Sequence, residues 1–302
     1  MTTCFDIGGT FIRHGSLAKD GLVAEEGRLK TPTDDWAAFV EAVRSRSGAL
    51  GEPVSISLAG AFDARSGIAD VANIPCLHQR HVQDELEQAL ERPVAIINDA
   101  NAFALAEAVS GTGRGKDVVF GIILGSGVGG GLVVAGNLVT GFGGMAGEWG
   151  HGPIVDPTAG GTIEGIEHYA CGCGQTGCVD ATGSARGMER IHTSLHGETR
   201  SSREITQAWN GNDTKASRTI DAYSTLVSRA LSVLVNTFGP DVIPVSGGLS
   251  NDEALLDLID RKTRALVLAN YSDRLIVKGA FAENGGLQGA GIHARRMFGE
   301  TA

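Results

Sequence analysis

The sequence has 302 residues, of which 42% are hydrophobic and 20% charged, with a formal net charge of −10 at pH 7. This length and composition predict a globular chain with two lobes. The acidic balance argues against nucleic acid as a partner, and no apolar run is long enough to span a membrane. Because the N-terminal residues lack a signal-peptide pattern and cysteines are only five, we expect a cytoplasmic protein with reduced thiols.

The first third of the chain has the pattern of an α/β lobe. Two short apolar strands flank the turn DIGGT at residues 6–10. Later apolar patterns predict helices at 36–47 and 81–90 and strands at 54–59 and 94–97. Asn98 and Asp99 are typical helix caps, and they precede an alanine-rich helix that ends at Gly111.

The second lobe is expected to begin at residue 113 with a strand, a glycine loop, a second strand, a Gly136-Asn137 turn and a third strand. Further patterns predict helices at 184–195, 202–209, 215–238 and 255–269, and strands at 242–245 and 275–278. We therefore expect a small α/β lobe of residues 1–112, completed by a C-terminal helix at 287–302. The large lobe then comprises residues 113–286.

Glycine makes up 44 of the 302 residues, against an average usage of roughly 7%. The stretch GSGVGG at 125–130 matches the dinucleotide pattern G-x-G-x-x-G, but that site needs a following helix. Here the residues 132–135 favour a strand. One such loop by itself favours a plain hairpin over a phosphate site. Two glycine turns, at 6–10 and 125–130, favour a polyphosphate bound by backbone N–H groups.

Asp99 is the candidate base for phosphoryl transfer to an alcohol, which needs an acceptor for the hydroxyl proton. Its place after a strand and at a helix start is typical of a side chain that faces a ligand. The alternative is that Asp99 only caps the helix, and the residues alone leave both open.

Three cysteines lie close together as C-x-C-x4-C, at Cys171, Cys173 and Cys178. Thiolates at this spacing favour a tetrahedral zinc site. The alternative is a set of reduced thiols or a labile disulfide. His168 is the nearer candidate for a fourth ligand when only local sequence is considered.

These motifs, in this order, resemble the ROK family (repressors, open reading frames and sugar kinases). The resemblance rests on DIGGT at 6–10, INDAN at 97–101, LGSGVGGG at 124–131, GEWGHGPI at 147–154, CGCGQTGC at 171–178 and SGGLS at 246–250. It covers nearly the whole chain. It implies an α/β, two-lobed actin/hexokinase-type (ribonuclease H-like) ATPase fold with a central cleft.

The resemblance also implies ATP, Mg²⁺ near Asp6, and a structural zinc ion with His151 as the fourth ligand beside Cys171, Cys173 and Cys178. The phosphate-binding residues it implies are Asp6, Gly8, Gly9, Thr10, Gly125, Ser126, Gly127, Gly129, Gly130, Gly247 and Gly248. The sugar-binding residues it implies are Gly60, Asn73, Asn98, Asp99, Glu148, His151 and Asp180, with Asp99 as the catalytic base. The family usually has Glu at the position of Asp180, so the substituent that the pocket favours stays open.

The 19 residues between His151 and Cys171 are similar to an insertion in the family's bacterial N-acetylglucosamine kinases. We therefore expect ATP-dependent phosphorylation of N-acetyl-D-glucosamine at O6, with glucose, N-acetylmannosamine and fructose as alternatives. The family also contains sugar-responsive repressors with an N-terminal DNA-binding domain. Because the first phosphate motif begins at residue 6, we expect a kinase, in a homodimer as is the family's habit, and we expect neither nucleic acid nor membrane as a partner.

Overall fold

The structure, a computed structural model, describes residues 2–62, 65–71 and 73–299. Its residues form two compact units. Unit 1 comprises the residues up to Gly111, Gly131–Gly147 and the residues from Asn284 onward; unit 2 comprises Thr112–Gly130 and Glu148–Glu283. Gly131–Gly147, which the sequence placed in the second lobe, clusters with unit 1. Residues 300–302 of the expected C-terminal helix lie outside the described residues.

The first sheet belongs to unit 1. The elements in this part of the chain are β1 (Thr3–Ile7), β2 (Phe11–Leu17), β3 (Val23–Lys30), α1 (Trp36–Arg44), β4 (Val54–Leu58), β5 (Ala61–Phe62), β6 (Ala69–Asp70), α2 (Val82–Leu90), β7 (Val94–Asn98) and α3 (Asp99–Ser110). The sheet has the strand order β3-β2-β1-β4-β7. β1 is antiparallel to β2 and parallel to β4, and β4 is parallel to β7. β5 and β6 form a separate antiparallel pair.

The remaining elements follow in chain order. They are β8 (Val118–Leu124), β9 (Val128–Val134), β10 (Asn137–Val139), α4 (Val179–Gly183), α5 (Ala185–His196), α6 (Ser202–Asn210), α7 (Thr214–Phe238), β11 (Ile243–Ser246), α8 (Glu253–Arg264), β12 (Ile276–Lys278) and α9 (Gly285–Phe298). The second sheet has the order β10-β9-β8-β11-β12, with β11 parallel to β8 and β12. No helix among the described residues is both long and apolar enough to cross a membrane.

The central strands of unit 1 are apolar because both faces of the sheet are covered, as is typical of parallel strands. On one face, Phe5, Ile7 and Ile56 pack with Phe39 of α1 and Leu86 of α2, and all five are almost completely buried. α9 covers the other face, where its apolar residues contact the start of the sheet. The sheet edge is set by β3, whose mostly exposed residues show why the apolar pattern of the sequence did not predict this strand.

α9 also packs against α3, and glycines make the approach close. A Cβ atom at Gly289 would lie 2.0 Å from the carbonyl oxygen of Ala102, and one at Gly285 would lie 2.4 Å from the ring of Phe103. Contacts this short do not occur between real atoms, so the two helices can pack at this distance only because both positions lack a side chain.

The glycine loop at 125–130 leads into β9, a strand, which excludes the dinucleotide interpretation of G-x-G-x-x-G. The turn after β9 consists of Ala135 and Gly136, with φ of 48° and 75°, and Asn137 already pairs with Val134. The predicted Gly136-Asn137 turn was therefore wrong by one residue, because Ala135 adopts the left-handed conformation that usually favours glycine or asparagine.

Candidate active site

The turn between β1 and β2 carries the DIGGT motif of unit 1. The N–H group of Gly8 donates to the carbonyl of Phe11 over 3.1 Å, and the hydroxyl of Thr31 donates to the carbonyl of Gly8 over 2.7 Å. A Cβ atom at Gly9 would lie 2.8 Å from the Cβ of Asn73. The turn therefore lies directly against Asn73, and the structure brings these two predicted site elements together.

Asp6 lies near the end of β1, and its Oδ1 accepts a hydrogen bond from the hydroxyl of Ser57 over 2.9 Å. A Cβ atom at Gly286 would lie 2.2 Å from the same oxygen. Burial raises the pKa of Asp6, while the Ser57 bond and the charge of Arg13 oppose that rise. A cation beside Asp6 would stabilise its charged form, and a carboxylate oxygen is a ligand that Mg²⁺ favours.

Asn98, and not Asp99, caps α3. Its Oδ1 accepts from the N–H of Asn101 over 3.0 Å, and its Nδ2 donates to the carbonyl of Gly60 over 2.9 Å. Asp99 is the first residue of the helix, and its Oδ1 accepts from the N–H of Ala100 over 2.9 Å. The view that Asp99 is present only as the helix cap is therefore wrong. Its carboxylate lies at the positive end of a 12-residue helix, which favours the charged form.

The glycine loop of unit 2 is a tight hairpin between β8 and β9. The N–H of Gly125 donates to the carbonyl of Gly127 over 3.0 Å, and the N–H of Ala185, at the start of α5, donates to the carbonyl of Gly125 over 2.8 Å. Gly247 has a φ of 89°, and a Cβ atom there would lie 2.4 Å from the carbonyl oxygen of Leu124. The hairpin, the start of α5 and the SGGLS motif thus lie side by side. We call residues 125–130 the phosphate hairpin.

The segment 147–154 of the GEWGHGPI motif, here called the sugar loop, contacts the phosphate hairpin. The indole N–H of Trp149 donates to the carbonyl of Gly129 over 3.0 Å. Sequence reasoning did not assign Trp149 to the site, and its position next to Glu148 was the only signal. Glu148 Oε2 lies 3.7 Å from His151 Nε2. Burial raises the pKa of Glu148, against the opposing charge of His151.

Asp180, in the first turn of α4, contacts both segments. Its Oδ1 accepts from the N–H of Val128 over 2.7 Å, and its own N–H donates to the carbonyl of Gly150 over 2.8 Å. Its Oδ2 lies 3.5 Å from the sulfur of Cys171. These bonds were not predictable from local sequence, because Asp180 and Val128 lie 52 residues apart.

Four ligand atoms that suit a metal ion meet in unit 2: the sulfurs of Cys171, Cys173 and Cys178 and a ring nitrogen of His151 lie within 4.8 Å of one another. The sulfurs of Cys173 and Cys178 are 3.7 Å apart, and Nδ1 of His151 lies 3.5 Å from the sulfur of Cys171. A tetrahedral zinc ion requires about 3.8 Å between two sulfurs and about 3.6 Å between sulfur and nitrogen. The group fits zinc, and its fourth member is His151 instead of the locally nearer His168.

The predicted site residues divide between the units. Unit 1 contains Asp6, Gly8, Gly9, Thr10, Gly60, Asn73, Asn98 and Asp99. Unit 2 contains Gly125, Ser126, Gly127, Gly129, Gly130, Glu148, His151, Cys171, Cys173, Cys178, Asp180, Gly247 and Gly248. Within each unit they come from several elements that end or turn at the same place.

A model of the ROK family matches residues 2–297. The chain belongs to the ROK family. Among curated proteins, this ROK chain is 35% identical over 293 residues to the N-acetylgalactosamine kinase AgaK of Shewanella sp. (strain ANA-3), covering 95% of this chain and 94% of that protein. It is 34% identical over 293 residues to the N-acetyl-D-glucosamine kinase of Photobacterium profundum, covering 95% and 96%.

Solved structures confirm the predicted fold class of this ROK chain. The ROK hexokinase of Thermus thermophilus superimposes with a TM-score of 0.83 at 28% identity, covering 98% of each chain. A ROK family glucokinase of Streptomyces griseus, solved with glucose and AMPPNP, gives a TM-score of 0.79 at 26% identity, covering 98% of this chain and 99% of that one. The actin/hexokinase-type α/β fold that the motifs implied is therefore correct.

Proposed function

We propose that this ROK protein transfers the γ-phosphoryl group of ATP to a hydroxyl group of a hexose, and that its substrate is N-acetyl-D-glucosamine, phosphorylated at O6. The observation that carries the proposal is the carboxylate of Asp99, which begins α3 but does not serve as its cap. The names of the curated relatives, which are sugar kinases, support the same chemistry.

Asp99 is the proposed general base. Phosphoryl transfer requires little covalent help from the protein, so positioning of the hydroxyl and acceptance of its proton are the main tasks. Asn98 is fixed by its bonds to Asn101 and to Gly60, and it holds this end of α3 in place. Asn73, packed against Gly9, is the proposed second sugar contact from unit 1.

Backbone N–H groups of the two glycine turns are the proposed phosphate ligands, since amides that point into a concave turn bind anions. From unit 1 these are Gly8, Gly9 and Thr10, and from unit 2 they are the residues of the phosphate hairpin, with Gly247 and Gly248 on the adenosine side. Asp6 is the proposed residue for Mg²⁺ and its waters. When bound, Mg²⁺ would neutralise charge on the phosphate oxygens.

His151 is the proposed link between the metal group and the sugar. Its Nδ1 faces Cys171 and its Nε2 faces Glu148. Four protein ligands leave a zinc ion no open position, so the proposed zinc is structural. A histidine fixed through one ring nitrogen can still hydrogen-bond a sugar hydroxyl through the other. Glu148 is the proposed acceptor for a neighbouring hydroxyl.

The comparisons favour an N-acetylated hexosamine, because both curated relatives carry that group in the name of their substrate. The two substrates differ only in the orientation of one ring hydroxyl. The number of residues between His151 and Cys171 supports N-acetylglucosamine as the substrate, and N-acetylgalactosamine is the main alternative. From the family resemblance we also propose that the protein is a homodimer in the cytoplasm. Light scattering coupled to size-exclusion chromatography would measure its oligomeric state.

The test is a coupled assay of ADP release with a panel of sugars: N-acetylglucosamine, N-acetylgalactosamine, N-acetylmannosamine, glucose and fructose. We expect the highest kcat/KM with N-acetylglucosamine, and phosphorus-coupled NMR of the product should show the phosphate on C6. A higher kcat/KM for another sugar would overturn the substrate assignment and leave the kinase assignment standing. Absence of sugar-dependent ADP release with the whole panel, in protein shown to be folded and to contain zinc, would refute the kinase itself.

A further inference from the structure

Asp180 forms hydrogen bonds with other segments of the chain through both its backbone and its carboxylate. Its N–H donates to the carbonyl of Gly150 in the sugar loop, and its Oδ1 accepts from Val128 N–H in the phosphate hairpin, at 2.8 and 2.7 Å. Its other carboxylate oxygen lies 3.5 Å from the sulfur of Cys171. The residue thus contacts three separate segments of unit 2, two of them through its side chain.

The phosphate hairpin is shaped for this contact. A Cβ atom at Gly127 would lie 2.9 Å from Oδ1 of Asp180, and one at Gly150 would lie 2.6 Å from the carbonyl oxygen of Val128. Glycine at these two positions therefore allows the hairpin and the sugar loop to approach Asp180 and each other. A larger side chain at either position would separate them.

We propose that Asp180 is a positioning residue that fixes the phosphate hairpin against the sugar loop. This inference rests on the proposed function only in assigning the nucleotide phosphates to the hairpin.

The physical reason is the strength and direction of the bond to Val128. A hydrogen bond from an amide to a carboxylate is shorter and stronger than one between neutral groups. With the Val128 amide fixed by Asp180 and the Gly129 carbonyl fixed by Trp149, the peptide groups before Val128 and after Gly129 have set orientations, on either side of the peptide group that joins these two residues. The neighbouring N–H groups then need little reorganisation when phosphate binds, which favours binding and catalysis.

Asp180 also connects the phosphate hairpin to the sugar loop. Gly150 lies between Trp149 and His151 of the sugar loop, and Asp180 bonds to its carbonyl. In this proposal, a displacement of the hairpin acts through Asp180 on the loop that carries Glu148 and His151, within unit 2.

Two variants separate the positioning role from a sugar-binding role. Asp180→Ala removes the acceptor for Val128 N–H, whereas Asp180→Asn keeps an oxygen of the same reach and removes the charge. We expect Asp180→Ala to raise the KM for ATP and the hydrogen-exchange rate of the Val128 amide, each roughly tenfold, as loss of a partly exposed hydrogen bond to a charged group predicts. Asp180→Asn should restore part of both, because it keeps an acceptor for Val128 N–H but not its charge, and the sugar KM should change far less in either variant.

Asp156→Ala is the matched control. Asp156 also lies in unit 2 and accepts from the N–H groups of Thr158 and Gly160 over 3.0 and 2.8 Å, but it is not bonded to either segment of the site. Asp156→Ala should lower the melting temperature without changing the ratio of the KM for ATP to the KM for the sugar. Gly127→Ala gives a second route, because its Cβ would push the hairpin away from Asp180. If Asp180→Ala does not fold, Gly127→Ala should reproduce the faster exchange of the Val128 amide in the absence of nucleotide.

The inference is overturned if the sugar KM rises while the ATP KM and the exchange of Val128 stay at wild-type values, or if Asp180→Asn is as impaired as Asp180→Ala in both hairpin measurements. The hydrogen-exchange rate of the Val128 amide measures the effect of Asp180 on the hairpin and does not require enzymatic turnover. A wild-type protein with no sugar-dependent ADP release would therefore refute the kinase, while the exchange data would still decide for or against the positioning role.

Discussion

Replacement of Asp99 by asparagine tests the proposed base with little cost to folding. The cap bond from Asn101 N–H to Asn98 is untouched, and an asparagine oxygen can still accept from Ala100 N–H, which lies 2.9 Å from the native carboxylate. What is lost is the attraction between a negative charge and the start of α3, worth about 0.3–1 kcal/mol. The free energy of unfolding should therefore fall by less than about 1 kcal/mol.

The expected loss of turnover is larger. A positioned general base contributes roughly 10²–10⁴-fold to the rate, which corresponds to about 3–5 kcal/mol in the activation barrier. We expect Asp99→Asn to lower kcat by at least about 100-fold while sugar binding, measured by calorimetry, stays close to wild type. ADP release and chemical denaturation measure the two effects in the same preparation.

The matched control is Asp35→Ala, in the same unit. Asp35 caps α1 by accepting from Ala38 N–H over 3.1 Å, and loss of a cap costs about 1 kcal/mol. This variant should be less stable than Asp99→Asn and retain the wild-type kcat. Near-native turnover in Asp99→Asn would refute the assignment of Asp99 as the base, and so would a fall in kcat that tracked the loss of stability across both variants.

Three further predictions concern stability and metal. Burial, and then the charge of Arg296, lower the pKa of His293 to about 4 from 6.5. As the pH falls, the histidine is therefore protonated in the unfolded chain before it is protonated in the folded protein, and the free energy of unfolding should fall between about pH 6.5 and about pH 4. His293→Asn should flatten this dependence in denaturation curves. Cys178→Ser should lower the zinc content measured by plasma emission spectrometry and raise the sugar KM, since His151 loses its fixed partner group. Gly289→Ala should lower the free energy of unfolding by about 1–3 kcal/mol, because the new methyl group meets the backbone of α3.

Each of these predictions has a matched control. His81→Asn, at an exposed position, should leave the acid dependence of stability intact. Cys76→Ser alters a cysteine outside the metal group and should retain the zinc. Met297→Ala removes an exposed side chain from α9 and should change stability by less than about 0.5 kcal/mol. Equal effects in variant and control would contradict the corresponding prediction.

The sequence predicted elements well where apolar residues recur with a regular period. β4, β7 and α7 were found close to their observed limits, because the apolar pattern marks the residues that each element buries. β3 was missed, since an edge strand with exposed residues has no such pattern. The short helix α4 was missed because five residues are too few to show a period.

The candidate site was predictable to the extent that its residues are close in sequence. The spacing of Cys171, Cys173 and Cys178 predicts that they share a metal site. His151 was predicted only from the family resemblance, because it lies far from these cysteines in sequence and reaches their sulfurs only in the folded chain. The bond between Asp180 and Val128 has no local signal for the same reason. Asp99 is intermediate: its position was predicted, but only the structure shows that its neighbour Asn98 supplies the cap.

The packing of α9 has a consequence for synthesis on the ribosome. This helix covers one face of the first sheet, where Leu287, Ala290 and Ala294 bury Cys4 and Val23. Its residues are translated only after all of unit 2, so the earliest strands to emerge wait for more than half of the chain before that face is shielded from water. The nascent protein therefore carries an uncovered apolar surface throughout the translation of unit 2. Unit 1, whose translation starts first, is completed only when α9 has been translated after unit 2.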